Sequence, residues 1–150
     1  PIKYNVIQLK AGIQRDHRIL NKLDIKKVNN NLPIVIVGKD NLTLSMQNFN
    51  TINLRNKTTL LEAFSIIKNC NNFYGLNGVL SFASLSFKTQ TKIFVKNEID
   101  KIALEVRVGR IKEWDKYVKY LYANKDEKTI ERERKDAEKF FGKSFLNTLK

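Results

Sequence analysis

Few residues of this 150-residue chain could act as a nucleophile or a general base. The chain has one histidine, His17, and one cysteine, Cys70. A zinc site needs further histidine or cysteine ligands, and a cysteine nucleophile needs a base oriented beside it. We interpret His17 as a surface residue and Cys70 as a structural one. The sequence therefore predicts no catalytic residues, no metal and no cofactor, so the protein is not expected to be an enzyme.

Carboxylates near residue 100 offer one alternative chemistry. Glu98, Asp100 and Glu105 precede Arg107, and carboxylates on a strand can hold the Mg²⁺ of a metal-dependent nuclease. A lysine is more usual than arginine at the position of Arg107. A phage- or plasmid-type DNA-binding protein, or an Mg²⁺-dependent nuclease with these three ligands, is an alternative prediction.

Two rows of regularly spaced lysines are the candidate RNA-binding residues. They are Lys88, Lys92, Lys96, Lys112, Lys116 and Lys119. The first three would share one face of a strand, and the last three would form a ridge along a helix beside Trp114. Such rows suit phosphate contacts that do not depend on base sequence. An ordinary solvated surface is the alternative interpretation of each row.

The net charge of +13 indicates a polyanionic partner. The excess is greatest in residues 1–57, which hold 10 basic and 3 acidic residues. The chain also has 21 lysines, 17 asparagines and 15 isoleucines, a bias typical of AT-rich coding. Codon bias therefore accounts for part of the charge. An accessory subunit of an organellar complex, basic by codon bias alone, is a third prediction.

Hydropathy limits the remaining classes of protein. The 42% hydrophobic content is enough for a folded core. No run reaches the about 18–20 apolar residues of a membrane helix, and the first residues lack the apolar segment of a secretory signal. We expect neither a membrane partner nor a small-molecule substrate.

The spacing of apolar residues predicts the elements that would position these side chains. The predicted strands are 4–9, 33–38, 42–47, 51–54, 79–87 and 93–95. Thr59-Leu60-Leu61-Glu62 has capping-box spacing and predicts a helix to about residue 69. Residues 102–108 fit both a strand and a helix. Helical spacing recurs in 114–122 and from Ile130 onward, and a short helix fits within 15–28.

This order of elements predicts an α+β fold. Antiparallel strands with packed helices would form two small strand–helix units, followed by a charged C-terminal helix. The predicted units are an N-terminal unit at residues 1–76, a C-terminal unit at 77–123 and the helix at 124–150.

Two stretches resemble known ribosomal domains. Residues 90–96, then Asp100-Lys101, then the run to Ile111-Lys112 resemble the C-terminal domain of large-subunit ribosomal protein six. Residues 34–38, 41–49 and the helix from Thr59 resemble the N-terminal domain of that family. The order of elements matches over residues 33–112. The proline- and glycine-rich segment with which the family touches RNA has no counterpart in 113–122, where Lys116 and Lys119 would take its place.

The resemblance implies a helix at residues 102–108 and a role without catalysis. The protein would be a structural constituent of the large ribosomal subunit, in mitochondria or alternatively in the cytoplasm. Its partners would be ribosomal RNA and neighbouring ribosomal proteins. Lysines would bind the RNA backbone by shape and charge, with little reading of bases.

Overall fold

Strands and helices follow one another along the computed structural model, which describes residues 2–11, 19–123 and 125–142. The strands are β1 (Asn5–Gln8), β2 (Ile34–Val37), β3 (Thr51–Asn53), β4 (Asn72–Leu76), β5 (Gln90–Val95) and β6 (Val118–Tyr122). The helices are α1 (Lys22–Ile25), α2 (Leu60–Lys68), α3 (Val79–Ser86), α4 (Glu98–Gly109) and α5 (Glu127–Phe141). The six strands form one sheet in the order β3-β2-β1-β4-β5-β6.

All five strand pairs of this sheet are parallel, so the fold is α/β and the predicted α+β fold with antiparallel strands is wrong. The reason is visible in β2, whose four residues are all buried. A strand covered on both faces is apolar throughout, which is typical of parallel sheets, whereas half-exposed antiparallel strands alternate. The predicted unit boundary after residue 76 lies between β4 and α3, and β4 pairs directly with β5 across it.

The two faces of the sheet have different covers. On the face we call the front, Ile7, Ile36, Tyr74 and Phe94 belong to a core cluster covered by α1 and residues 42–49. On the opposite, back face, apolar side chains of α2, α3 and α4 pack against the strands. The crossovers of the first three strands thus lie in front, and the later helices lie behind.

Residues 79–87 form α3, so the strand predicted there is wrong. Leu80, Ser81, Ser84 and Leu85 are buried, which is the stripe of a helix rather than the alternation of a strand. The Ser81 hydroxyl donates to the Leu76 carbonyl oxygen at 2.5 Å, which allows a polar side chain to lie in the interior. The helix was hidden in the sequence because it has no strongly polar face.

The helix predicted at 114–122 is also wrong. Residues Trp114–Lys116 form a 3₁₀ turn and the rest is β6. In β6, Tyr120 and Tyr122 pack on the back face, while Leu121 packs on the front. Residues 42–47 form no strand; Leu42, Leu44 and Met46 are half-buried against the front core without a pairing partner.

Residues 102–108, which fit both a strand and a helix, lie within α4, whose N-cap Asn97 accepts a hydrogen bond from the Asp100 amide at 2.9 Å. Two local predictions are confirmed. Helix α2 begins at the predicted capping box, and α5 lies in the predicted charged C-terminal segment. The part of the predicted last helix beyond residue 142 lies outside the described residues.

Candidate functional site

The strand order creates a crevice at one edge of the sheet. The connection after β1 leads to β2 on one side of β1, and the connection after β4 leads to β5 on the opposite side of the sheet. These two connections therefore diverge between β1 and β4. Ligands of such open parallel sheets bind outside the carboxyl ends of the strands at this switch point. A crevice of about 360 Å³ lies there. Its lining residues are Gln8, Lys10, Gly38, Lys39, Thr58, Thr59, Leu60, Ala63, Val79 and Leu80.

The first turn of α2 forms one wall of the crevice. Thr59 and Glu62 cap each other: the Thr59 hydroxyl accepts from the Glu62 amide at 3.2 Å, and the Glu62 carboxylate accepts from the Thr59 amide at 3.0 Å. Hydrogen bonding of the Glu62 carboxylate to the Thr59 backbone amide, and secondarily to the Thr59 side chain, holds the pKa of Glu62 below its ordinary value. The capping box fixes where α2 begins and therefore where this wall stands.

The first turn of α3 forms the opposite wall. Its N-cap, Gly78, has no side chain, and no side chain of the described residues caps the helix. The first amide groups of a helix have no partner within the helix, and they carry the positive end of its dipole. Val79 and Leu80 place this uncapped turn at the crevice. Free backbone donors at a helix start are suited to an anion such as phosphate.

Two lysines bring positive charge to the same crevice. Lys10 follows β1 and Lys39 follows β2, so parallel pairing places both at the carboxyl edge. Neither lysine forms an ion pair with any described residue. Gly38 forms the turn before Lys39 with a φ of +111°, a backbone conformation that residues with a Cβ atom rarely adopt. The charge at this edge is therefore free to attract an anion.

Gln8 adds a hydrogen-bond acceptor between β1 and the helices. Its side-chain oxygen Oε1 is buried and has no hydrogen-bond partner among the described residues. A buried acceptor without a donor is unfavourable, so a ligand hydroxyl or amine that donated to it would bind more tightly.

An ion pair supports the outer side of the crevice. Arg55 Nη1 donates to Asp40 Oδ1 at 2.7 Å and to the Leu42 carbonyl oxygen at 2.7 Å. The Asp40 side chain is only 1% exposed, so water screens this pair weakly. The backbone amide of Asn56 donates to the Gly38 carbonyl oxygen at 2.9 Å. The loops after β2 and β3 are therefore held together beside Lys39.

The structure separates the six predicted RNA-binding lysines. Lys88 precedes β5, where it lies 3.8 Å from Glu113, and Lys96 follows the same strand at its other end. Lys112 and Lys116 lie in the α4–β6 connection instead of on a helical ridge. Only Lys92 and Lys119 are direct neighbours in the sheet, where β5 and β6 pair. They come from different predicted rows.

The predicted nuclease ligands do not meet. Glu98 is buried and accepts a hydrogen bond from the Tyr122 hydroxyl, and Asp100 accepts one from the Lys96 amide at 2.9 Å. Glu105 pairs with Lys101 at 3.4 Å. Within residues 2–11, 19–123 and 125–142, no three histidine, cysteine or acidic side chains form a group that could hold a metal ion.

Cys70, the single cysteine of the chain, is not part of the crevice lining. Cys70 follows α2 and is partly buried, and burial raises the pKa of its thiol to about 12. A thiol with so high a pKa is rarely ionised and is a poor nucleophile. His17 lies outside the described residues. None of the described helices has both the length and the apolar character needed to cross a membrane.

Sequence reasoning missed the crevice residues. Gln8, Lys10 and Lys39 belong to no recognised motif, and no glycine-rich phosphate loop marks them. The available signal was positional: Lys10 lies two residues after the end of β1, and Lys39 lies two residues after the end of β2. A scan against known protein families finds no match, and neither the curated proteins nor the solved structures contain one.

Proposed function

We propose that the protein binds a small molecule carrying phosphate groups in the switch-point crevice, with a nucleotide as the class typical of this strand order. The observation that carries the proposal is the start of α3, which no described side chain caps, in one crevice with Lys10 and Lys39, which form no ion pair with a described residue. Backbone amides and ammonium groups are the donors that phosphate oxygens accept best.

Each crevice group has a separate role in this proposal. The backbone amides at the start of α3 donate to the oxygens of one phosphate group, and Lys10 and Lys39 neutralise the negative charge of the ligand. Gln8 accepts a hydrogen bond from a hydroxyl or amine of the ligand. Exposed aliphatic side chains at the mouth, Leu60 at 53% and Val79 at 62% exposure, give the ligand an apolar contact.

The test is calorimetric titration with ADP, UDP and inorganic phosphate as separate probes. We expect at least one probe to bind, and Lys10→Gln and Lys39→Gln each to raise its Kd about 10- to 150-fold, since a charge-assisted hydrogen bond contributes about 1.5–3 kcal/mol. Lys68→Gln, at the far end of α2, is the matched control and should leave the Kd unchanged. Absence of binding by all three probes at millimolar concentration, or an equal loss in the control, would refute the proposal.

The ribosomal role, the mitochondrial or cytoplasmic location and the ribosomal partners stay predictions of the sequence. The charge of +13 supports a polyanionic partner of some kind. Purification from the native source followed by sequencing of the bound RNA measures this directly. Recovery of large-subunit ribosomal RNA is expected if the resemblance is correct, and recovery of no RNA contradicts it.

A further inference from the structure

Near the starts of β5 and β6, the front face of the sheet carries polar side chains that are open to solvent among the described residues. The crossovers α1 and 42–49 cover a front core that includes Phe94 of β5, with Leu121 of β6 packed against it, while α2, α3 and α4 pack on the back. Towards β6, Gln90 and Lys119 are exposed and Lys92 is half-buried. The surface formed by Asn72, Gln90, Lys92 and Lys119 is called the open front surface below.

The register places these side chains as neighbours. Asn72 pairs with Gln90, and Lys92 pairs with Lys119, so the four lie on adjacent strands of one face. Directly opposed like charges destabilise a sheet. Lys92 Nζ lies 3.2 Å from the Tyr74 hydroxyl oxygen and 4.9 Å from the centroid of that ring. Neither lysine has a carboxylate partner in the described part of the chain.

The chemistry of the surface favours a phosphate backbone over a protein partner. Amide and ammonium groups are hydrogen-bond donors, whereas the core of a protein interface is rich in apolar and aromatic residues. None of the exposed large hydrophobic side chains of the described residues belongs to this surface. Tyr74 is fully buried and offers no face on which a base could stack. A ligand of this surface is held by its backbone, which a duplex displays on its outside.

We propose that the open front surface binds the phosphodiester backbone of duplex nucleic acid without reading its sequence. Lys92 and Lys119 contact phosphates, and the Gln90 side-chain amide donates to a backbone oxygen beside them. Asn72 borders the surface, where its Nδ2 donates to Asn5 Oδ1 at 3.1 Å. This binding is independent of the crevice, because the crevice lies at the carboxyl edge between α2 and α3 on the back of the sheet.

The experiment measures fluorescence anisotropy of a labelled 20-base-pair RNA duplex and a DNA duplex of the same length, from 50 to 200 mM salt. Lys92→Gln/Lys119→Gln is compared with Lys112→Gln/Lys116→Gln, which removes the same charge elsewhere. We expect the first pair to weaken binding about 10-fold and to reduce the salt slope by about 2, since each phosphate contact contributes about 0.9. The control pair should change affinity less than about twofold, as expected of long-range charge alone.

Several outcomes would overturn the proposal. Equal losses in the two double variants would show an unspecific charge effect, and no binding of either duplex at 50 mM salt would remove the site. Displacement of the duplex by poly-glutamate at equal charge concentration would indicate an acidic protein segment instead. Lys119→Gln alone guards against misfolding, because this exposed side chain forms no hydrogen bond with a described residue. An unchanged affinity in that variant also refutes the proposal. ADP should not displace the duplex, whatever the crevice binds.

Discussion

Gly75 lies in the middle of β4, and its replacement by alanine should destabilise the protein strongly. A Cβ there would lie 2.4 Å from Phe73 Cε1 and 2.6 Å from Ser81 Oγ. Both neighbours are buried, and the Ser81 hydroxyl is held by the Leu76 carbonyl, so neither can move freely. Overpacking of a core typically costs about 1–3 kcal/mol. Because two clashes occur together, we expect Gly75→Ala to lower the free energy of unfolding by about 3 kcal/mol.

Thermal unfolding followed by circular dichroism measures this loss. A chain of this size loses about 2–4 °C in Tm per kcal/mol, so Gly75→Ala should melt about 6–12 °C lower than the parent. Gly109→Ala is the control, because its added Cβ meets nothing within 4 Å at the end of α4. That change should stabilise the protein by about 0.5–1 kcal/mol, since glycine is unfavourable in a helix.

A double-mutant cycle separates the clash from other effects of the alanine. Phe73→Leu removes the ring atoms nearest to the new Cβ, so Gly75→Ala should cost at least about 1 kcal/mol less in that background. An equal cost in both backgrounds, or a Tm of Gly75→Ala within 1 °C of the parent, would refute the reasoning.

Three further predictions concern the reactivity of Cys70, the N-cap of α4 and the dependence of stability on pH. Because burial raises the pKa of Cys70 to about 12, a disulfide reagent at pH 8 should react with the native thiol about 100-fold more slowly than with the thiol in urea; similar rates would contradict this. Asn97→Ala removes the cap of α4 and should cost about 1 kcal/mol in a urea titration, whereas Asn97→Asp should retain the cap. Burial also raises the pKa of Tyr120 and Tyr122 in the folded state. The unfolded phenols and thiol ionise first as the pH rises, so the urea midpoint should fall between pH 8 and pH 11; an unchanged midpoint would contradict those shifts.

Elements encoded by neighbouring residues could be predicted from the sequence. The capping box of α2 involves residues three apart, and the buried run of β2 ends at a glycine, so both signals are local. Strand β4 was missed, because Asn72 follows Asn71 as a loop would and Gly75 resembles a strand breaker. The reason for Gly75 is the Phe73 ring and α3 packed against it, and no local pattern contains that contact.

The candidate site depended on the direction of strand pairing. In an antiparallel hairpin, the end of one strand lies beside the start of the next, so Lys10 and Lys39 would be at opposite edges of the sheet. In the parallel pairing of β1 with β2, the ends of both strands meet at one edge. The wrong fold class therefore concealed the crevice, although every residue of it was visible. A different error separated Lys92 from Lys119: a helix was predicted at 114–122, where the structure has β6.

Both candidate sites follow from the strand order. Crossovers between parallel strands are almost always right-handed, so a chain that moves from β1 to β3 and then from β4 to β6 must place its two sets of connections on opposite faces. The reversal of direction leaves a gap between β1 and β4 at the carboxyl edge, and there the crevice lies. Near the starts of β5 and β6, it also leaves Gln90 and Lys119 exposed on the front face, whereas Phe94 and Leu121 further along these strands belong to or pack against the front core. Lysines lie in both places, at Lys10 and Lys39 and at Lys92 and Lys119. The lysines that carry both proposed sites therefore lie where the strand order leaves the sheet open to solvent.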